Sequence, residues 1–145
     1  MNTPISEAAD ALYRLLTVAI RQLPRDLSLT SLATLATIER TGPRRITDLA
    51  VSEGVTQPSM TALVTALEKS GLVERRQDAN DQRVVLVALT EAGAEYRRAR
   101  RQAGTEAFAR LIGGLPDAEV AAIAAAAPAL RHLRDLDEQS RNEVC

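Results

Sequence analysis

Residues 46–89 read ITDLAVSEGVTQPSMTALVTALEKSGLVERRQDANDQRVVLVAL, and this stretch decides the fold. Thr47 can cap a short helix through Asp48-Leu49-Ala50, and Gly54 can end it in the left-handed conformation that favours glycine. Thr56 offers a second cap, followed by Gln57-Pro58, where the first helical turn tolerates proline. That helix continues to Ser70 and stops at Gly71. Val73-Glu74-Arg75-Arg76-Gln77 and Val84 to Leu89 are strand-like, the latter rich in valine, and 78–83 between them is a polar, turn-prone tip. A helix-turn-helix followed by a hairpin is an arrangement that places one helix in a DNA groove.

The second helix sorts its residues by face. Met60, Leu63, Val64 and Leu67 share one side and are expected to dock on the preceding helices. The other side carries Pro58, Ala62, Thr65 and Lys69, flanked by Ser59, Thr61 and Ala66. It is small and mostly uncharged, so it can lie deep in a major groove. Gln57, Ser59, Thr61 and Thr65 bring amide and hydroxyl groups suited to base edges or phosphates. The free N–H groups from Thr56 to Ser59 suit a backbone phosphate. In the hairpin, Arg76, Asn80, Gln82 and Arg83 are the DNA-facing candidates. An arginine at the base of the tip can enter a narrow minor groove, where the negative potential is enhanced. Asp78 and Asp81 are assigned to wing support, holding Arg83 or Arg76 in a fixed rotamer so that less side-chain entropy is lost on docking.

Flanking segments are helical. Ile5, Ala8, Ala9, Leu12, Leu16, Ala19, Ile20 and Leu23 repeat at spacings of three and four before Pro24. A helix capped by Ser28 or Thr30 carries Leu32, Leu35, Ala36 and Ile38 and ends at Gly42-Pro43. Thr90 caps a long helix closing at Gly113-Gly114. A last helix from Pro116-Asp117 to about Arg141 contains Pro128, which predicts a bend or interruption near Ala124 to Ala127. Its Val120, Ile123, Ala127, Leu130, Leu133 and Leu136 join the first helix in leaving apolar stripes outside the helix-turn-helix core. Burial of those stripes against a second copy of the chain is the economical solution, so a homodimer is expected. The expected organisation is a winged helix-turn-helix DNA-binding domain at 28–98, with 1–27 and 99–145 forming a helical dimerisation region. The fold class is mainly α with a small β-hairpin wing.

Composition agrees. The 145 residues are 46% hydrophobic with 2% aromatic, a balance that suits closely packed Ala- and Leu-rich helices. Net charge is −1, yet residues 40–101 hold eleven Arg and Lys against eight Asp and Glu, while 102–145 hold four against seven. Segregated charge suits a DNA-facing part and a solvent-facing part. The lone Cys145 fits a reducing cytosol, Glu7 and Asp10 stand where an export signal would want basic residues, and the longest apolar run is about half the roughly 20 residues a bilayer helix needs. A cytoplasmic location without membrane contact is expected. The single His132 sits on a helix face, no Cys/His set could ligate zinc, and no Gly-rich loop follows a strand, so neither enzyme activity nor cofactor nor metal is expected. The alternative is a winged helix used as a protein-interaction or dimerisation module without DNA binding.

The chain resembles the MarR family of bacterial winged-helix transcriptional regulators. The match comprises Ile46-Thr47-Asp48-Leu49-Ala50, Thr56-Gln57-Pro58-Ser59-Met60-Thr61, Leu67-Glu68 with Gly71-Leu72-Val73, Asp78-x-x-Asp81-x-Arg83, and Leu89-Thr90-Glu91-Ala92-Gly93. The resemblance implies a triangular homodimer of about six helices and a hairpin per chain, bound to double-stranded DNA at a near-palindromic operator, usually as a repressor. It places Ser59 and Thr61 at base and phosphate contacts and Arg83 at the wing arginine. It also implies a small aromatic or phenolic acid as effector, bound in a cleft between the DNA-binding and dimer regions; the lining residues are not legible, with Tyr13 and Tyr96 the nearest candidates. The chain departs from the pattern at Ala62, where many members carry arginine, which shifts the expected readout toward shape and the wing. Redox-sensing relatives carry a cysteine near the first helix; Cys145 is elsewhere, so thiol sensing is not expected.

Overall fold

Hydroxyl caps set three of the helix starts. In the computed structural model, which describes residues 3–143, the Ser28 hydroxyl accepts from the Ser31 amide at 3.1 Å, Thr56 from Ser59 at 3.3 Å and Thr90 from Gly93 at 3.0 Å. These begin α2 (Leu29–Thr41), α4 (Gln57–Lys69) and α5 (Glu91–Gly113). The remaining elements are α1 (Thr3–Gln22), α3 (Ile46–Glu53), β1 (Val73–Gln77), β2 (Val85–Leu89) and α6 (Asp117–Glu143). Cys145 lies outside the described residues.

The start of α3 departs from the sequence expectation. Thr47 is not its cap; the helix begins at Ile46, with Arg45 as N-cap and no side-chain cap bond. The cause is a long-range pairing. Arg44 forms an isolated antiparallel bridge with Val87, its amide donating to Val87 O at 3.0 Å and its carbonyl accepting from Val87 N at 2.7 Å. Backbone held extended by the hairpin up to Arg45 (φ −69°, ψ 150°) turns into helix immediately afterwards, which leaves Thr47 inside the first turn. At the other end Gly54 adopts φ 65°, ψ 34°, the left-handed geometry expected of it, and α4 follows after two residues.

One buried cluster orients everything in the middle of the chain. It joins Leu35 and Ile38 of α2, Leu49 and Ala50 of α3, Met60, Val64 and Leu67 of α4, Val73 of β1 and Val87 of β2, with Leu63 packed at its edge. The strands pair antiparallel from Val73↔Leu89 to Gln77↔Val85. Strand β2 starts one residue later than expected, because the Val84 amide turns back to Asp81 O at 3.0 Å.

Helix α5 is fastened to this unit in three ways. Gly93 lies against the carbonyl of Leu72, so close that a Cβ there would fall on that oxygen, and Leu89 Cδ1 would stand only 2.9 Å away. Arg97 and Arg101 reach Glu39 of α2 at 3.1 and 3.3 Å. The Tyr96 hydroxyl donates to Asp26 Oδ2 at 2.6 Å, while Arg100 donates to Asp26 Oδ1 at 2.9 Å, to Tyr96 Oη at 3.2 Å and to Pro24 O at 3.0 Å. The Tyr96 hydrogen bond, with Arg100 beside it, holds the Asp26 carboxyl below its ordinary value of 3.8, against an opposing desolvation. Burial and the same bond raise the Tyr96 hydroxyl above its ordinary 10.0.

The outer helices are uncovered. Helix α1 has no buried residue, and Leu16 is 57% exposed; on α6 Leu133 is 53% exposed, with Ile123, Leu130 and Leu136 similarly open. Helix α6 runs without interruption through Pro128. Of the expected bend or interruption, the interruption does not occur: Ala124, whose carbonyl loses its donor, is solvent-exposed and water can satisfy it. Among the described residues no helix is long and apolar enough to cross a membrane.

Two outcomes follow. Gly93→Ala should destabilise the chain by about 1–3 kcal/mol through overpacking against backbone that cannot yield, read as a lowered melting midpoint. For Asp26, a folded-state pKa below the unfolded one means stabilisation that is complete above pH 3.8 and lost as pH falls through the folded value. The deficit of Tyr96→Phe relative to wild type should therefore be present in urea melts at pH 7 and shrink below about pH 4. A constant deficit at both pH values would show that the hydroxyl does not act through Asp26.

Candidate nucleic-acid interface

With Met60, Val64 and Leu67 inward, the opposite side of α4 is forced outward. Thr56, Gln57, Pro58, Ser59, Thr61, Thr65 and Lys69 are all exposed, as are Ala62 and Ala66. Every helix residue singled out from the sequence is thus at the surface. Two of its hydroxyls have already committed their proton: Thr61 donates to Gln57 O and Thr65 to Thr61 O, both at 2.9 Å. Their lone pairs remain and make them acceptors, suited to the amino groups of adenine or cytosine in the major groove. The Ser59 hydroxyl accepts from Thr56 at 2.8 Å and keeps its own proton for an acceptor such as phosphate.

The wing places Arg76, Asn80, Gln82 and Arg83 at the surface. Asp78 and Asp81 support it differently from expectation. Asp78 accepts from the Asn80 amide at 2.9 Å and Asp81 from the Arg83 amide at 3.0 Å, so both carboxylates shape the main chain of the loop. Neither holds an arginine rotamer. Arg76 pairs instead with Glu74, its neighbour across one residue on β1 and the nearer acid, and the Arg83 guanidinium has no ion-pair partner among the described residues.

A residue missed in the sequence connects helix and wing. Arg75 donates to Glu68 at 2.6 Å and to the Thr65 hydroxyl at 3.3 Å, and its amide lies 3.3 Å from the other Glu68 oxygen. This couples the end of α4 to β1 and places a cation beside Thr65. No local pattern announces a pair seven residues apart across a turn.

Tyr96 and Arg100 line a recess of about 370 Å³ with Leu23, Pro24, Asp26 and Ala103. Tyr13, the other aromatic candidate, is 69% exposed on α1. His132 is exposed on α6.

Similarity to known proteins is consistent with this geometry. The sequence model of the MarR family matches residues 27–85. Over 113 residues the chain is 34% identical to an uncharacterized HTH-type transcriptional regulator of Mycobacterium bovis, a match covering 72% of this chain and 79% of that one. It is 43% identical over 56 residues to the homoprotocatechuate degradative operon repressor of Escherichia coli, 38% of each chain. Among solved structures, a transcriptional regulator of Thermotoga maritima superposes with a TM-score of 0.73 at 23% identity, covering 96% of this chain and 97% of that one. A mutant of Staphylococcus aureus MepR bound to an oligodeoxyribonucleotide gives 0.66 at 22%, covering 94% and 99%. At these identities the two structures attest the shared fold. The relatives are named as regulators of transcription rather than as enzymes, and with the helix-turn-helix, the wing and the sequence match in agreement, the chain belongs to the MarR family of DNA-binding winged-helix transcriptional regulators.

Proposed function

We propose that two copies of this chain bind a near-palindromic operator and repress transcription from it in the cytoplasm. Residues 28–98 act as the DNA-binding domain, with 1–27 and 99–145 forming the dimerisation region. Thr56, Gln57, Pro58, Ser59, Thr61, Thr65 and Lys69 meet the major groove and its phosphates. Arg83 enters the adjacent minor groove, with Arg76, Asn80 and Gln82 along its edge. The observation that carries this reading is the exposure of the whole polar face of α4 while its apolar face is locked in the core. The DNA-bound MepR mutant shares this fold, and the similarity to the homoprotocatechuate operon repressor over 56 residues supports repression.

The dimer rests on surface chemistry. Leu15, Leu16, Val18 and Ile20 on α1 and Leu130, Leu133 and Leu136 on α6 are exposed large apolar side chains. Exposed apolar stripes of this kind mark an interface, and a two-fold partner offers the same helices in return. Two α4 helices about 34–36 Å apart would then match one turn of DNA. A small aromatic or phenolic acid acts as effector in the recess beside Tyr96. Its carboxylate competes with Asp26 for Arg100, and so loosens the Pro24–Asp26 loop from α5.

In gel-shift titrations against fragments selected from genomic DNA, Arg83→Ala should weaken binding clearly, and wild-type affinity should fall steeply with added salt; equal affinity for the two proteins would remove the wing from the mechanism. Light scattering should give the mass of two chains for the wild type. A charge in the apolar stripe, Leu133→Glu, should shift that mass toward one chain, and an unchanged mass would place the interface elsewhere.

A further inference from the structure

At the base of the wing lies a recess of about 320 Å³ lined by Arg45, Ile46, Thr47, Arg83, Val84 and Val85. Its two sides come from opposite ends of the motif, the start of α3 and the return from the wing tip. The Arg44–Val87 bridge brings them together. Arg45 and Arg83 are both exposed and neither has an ion-pair partner among the described residues, whereas ten other arginines are paired with carboxylates. The nearest acid in sequence to Arg83, Asp81, has one carboxylate oxygen on the Arg83 main chain. Asp48 is the acid in the first turn of α3. The Thr47 hydroxyl makes no hydrogen bond among the described residues.

We infer that Arg45, with Thr47, holds a phosphate of the DNA backbone at the rim of the minor groove that Arg83 enters. Two guanidinium groups facing one recess repel each other until an anion sits between them. A guanidinium fork matches the oxygens of a phosphodiester, and the Thr47 hydroxyl can donate to one of them. Val84 and Val85 supply an apolar wall against which a deoxyribose can rest. A minor groove is bordered by backbone on each side, so an arginine in the furrow and another on its edge fix the depth and register of the wing together. Arg45 carries no base information in this role; it positions Arg83. Its side chain is exposed and makes no hydrogen bond or ion pair among the described residues, so its loss should be felt on DNA rather than in the fold.

This inference rests on the DNA-binding reading above, and its test separates the two. Full-length wild type, Arg45→Ala and Arg45→Lys are titrated against the selected operator and a scrambled duplex over a salt series. Arg45→Ala should weaken both duplexes by the same factor and lower the slope of log K against log salt by about 0.9 per bound chain. Arg45→Lys should keep most of the slope, since the charge remains, while losing affinity with the fork. Melting midpoints of all three should coincide. Wild-type affinity and slope in Arg45→Ala, a loss confined to the operator, or a lowered melting midpoint with an unchanged slope would each overturn the phosphate role while leaving DNA binding intact. Absence of any duplex binding by the wild type would overturn both.

Discussion

The rotational setting of α4 is the constraint on which the outward polar surface depends. Met60, Val64 and Leu67 are fully buried, one per turn, and they meet Leu35, Leu49 and the two strand valines in one cluster. Met60 also lies on the buried Thr34 hydroxyl, 4.0 Å from oxygen to sulfur. Rotating the helix by one residue, about 100°, would carry Thr61 and Thr65 toward that cluster and turn apolar side chains into water. The Thr61 and Thr65 hydroxyls would keep their bonds within the helix, but exposing a core aliphatic side chain costs about 1.5–3 kcal/mol. The outward face is thus defined by exclusion: what can read DNA is what the core will not accept.

A correctly rotated helix still has to be held against the wing and against the long helices. The Glu68–Arg75 pair joins α4 to β1, and the Arg44–Val87 bridge joins the approach to α3 with β2. A partly exposed ion pair such as Glu68–Arg75 is worth little as stability, about 0.2–1 kcal/mol. Its consequence is geometric, because it makes helix and wing one body. Gly93 then brings α5 into backbone contact with Leu72 at the turn between α4 and β1, where a side chain would force the two apart. The positions of α5 and of the turn that ends α4 are in this way tied to each other.

The features legible in the sequence are those whose cause is local. Ser28, Thr56 and Thr90 cap helices through amides three residues on, and Gly54 turns the chain because only its own backbone must accept φ 65°. The face assignment of α4 follows from periodicity within one helix. What could not be read has its cause elsewhere in the chain. Thr47 has the character of a cap, yet a bridge to Val87 decides where α3 starts. Asp78 and Asp81 are the exception, with a local cause: charge matches them with arginines, while amides two residues away offer the shorter path. The Asp26–Tyr96–Arg100 group spans some seventy positions, and the recess at Arg45 exists only once the hairpin has folded back.

Charge illustrates why location outweighs totals. The positive excess of residues 40–101 includes Arg75, Arg97, Arg98, Arg100 and Arg101, all of which the fold engages with Glu68, Glu39, Glu95 or Asp26. Paired cations contribute little to the field a duplex would meet. The cations of that segment with no ion pair among the described residues are Arg44, Arg45, Lys69 and Arg83. They lie at the entrance to α3, the end of α4 and the wing. A chain with net charge −1 can therefore present positive potential to DNA, because its carboxylates neutralise the arginines that fasten the helices together and leave these four unmatched. Counterion release scales with the phosphates actually contacted, not with the formal charge of the chain.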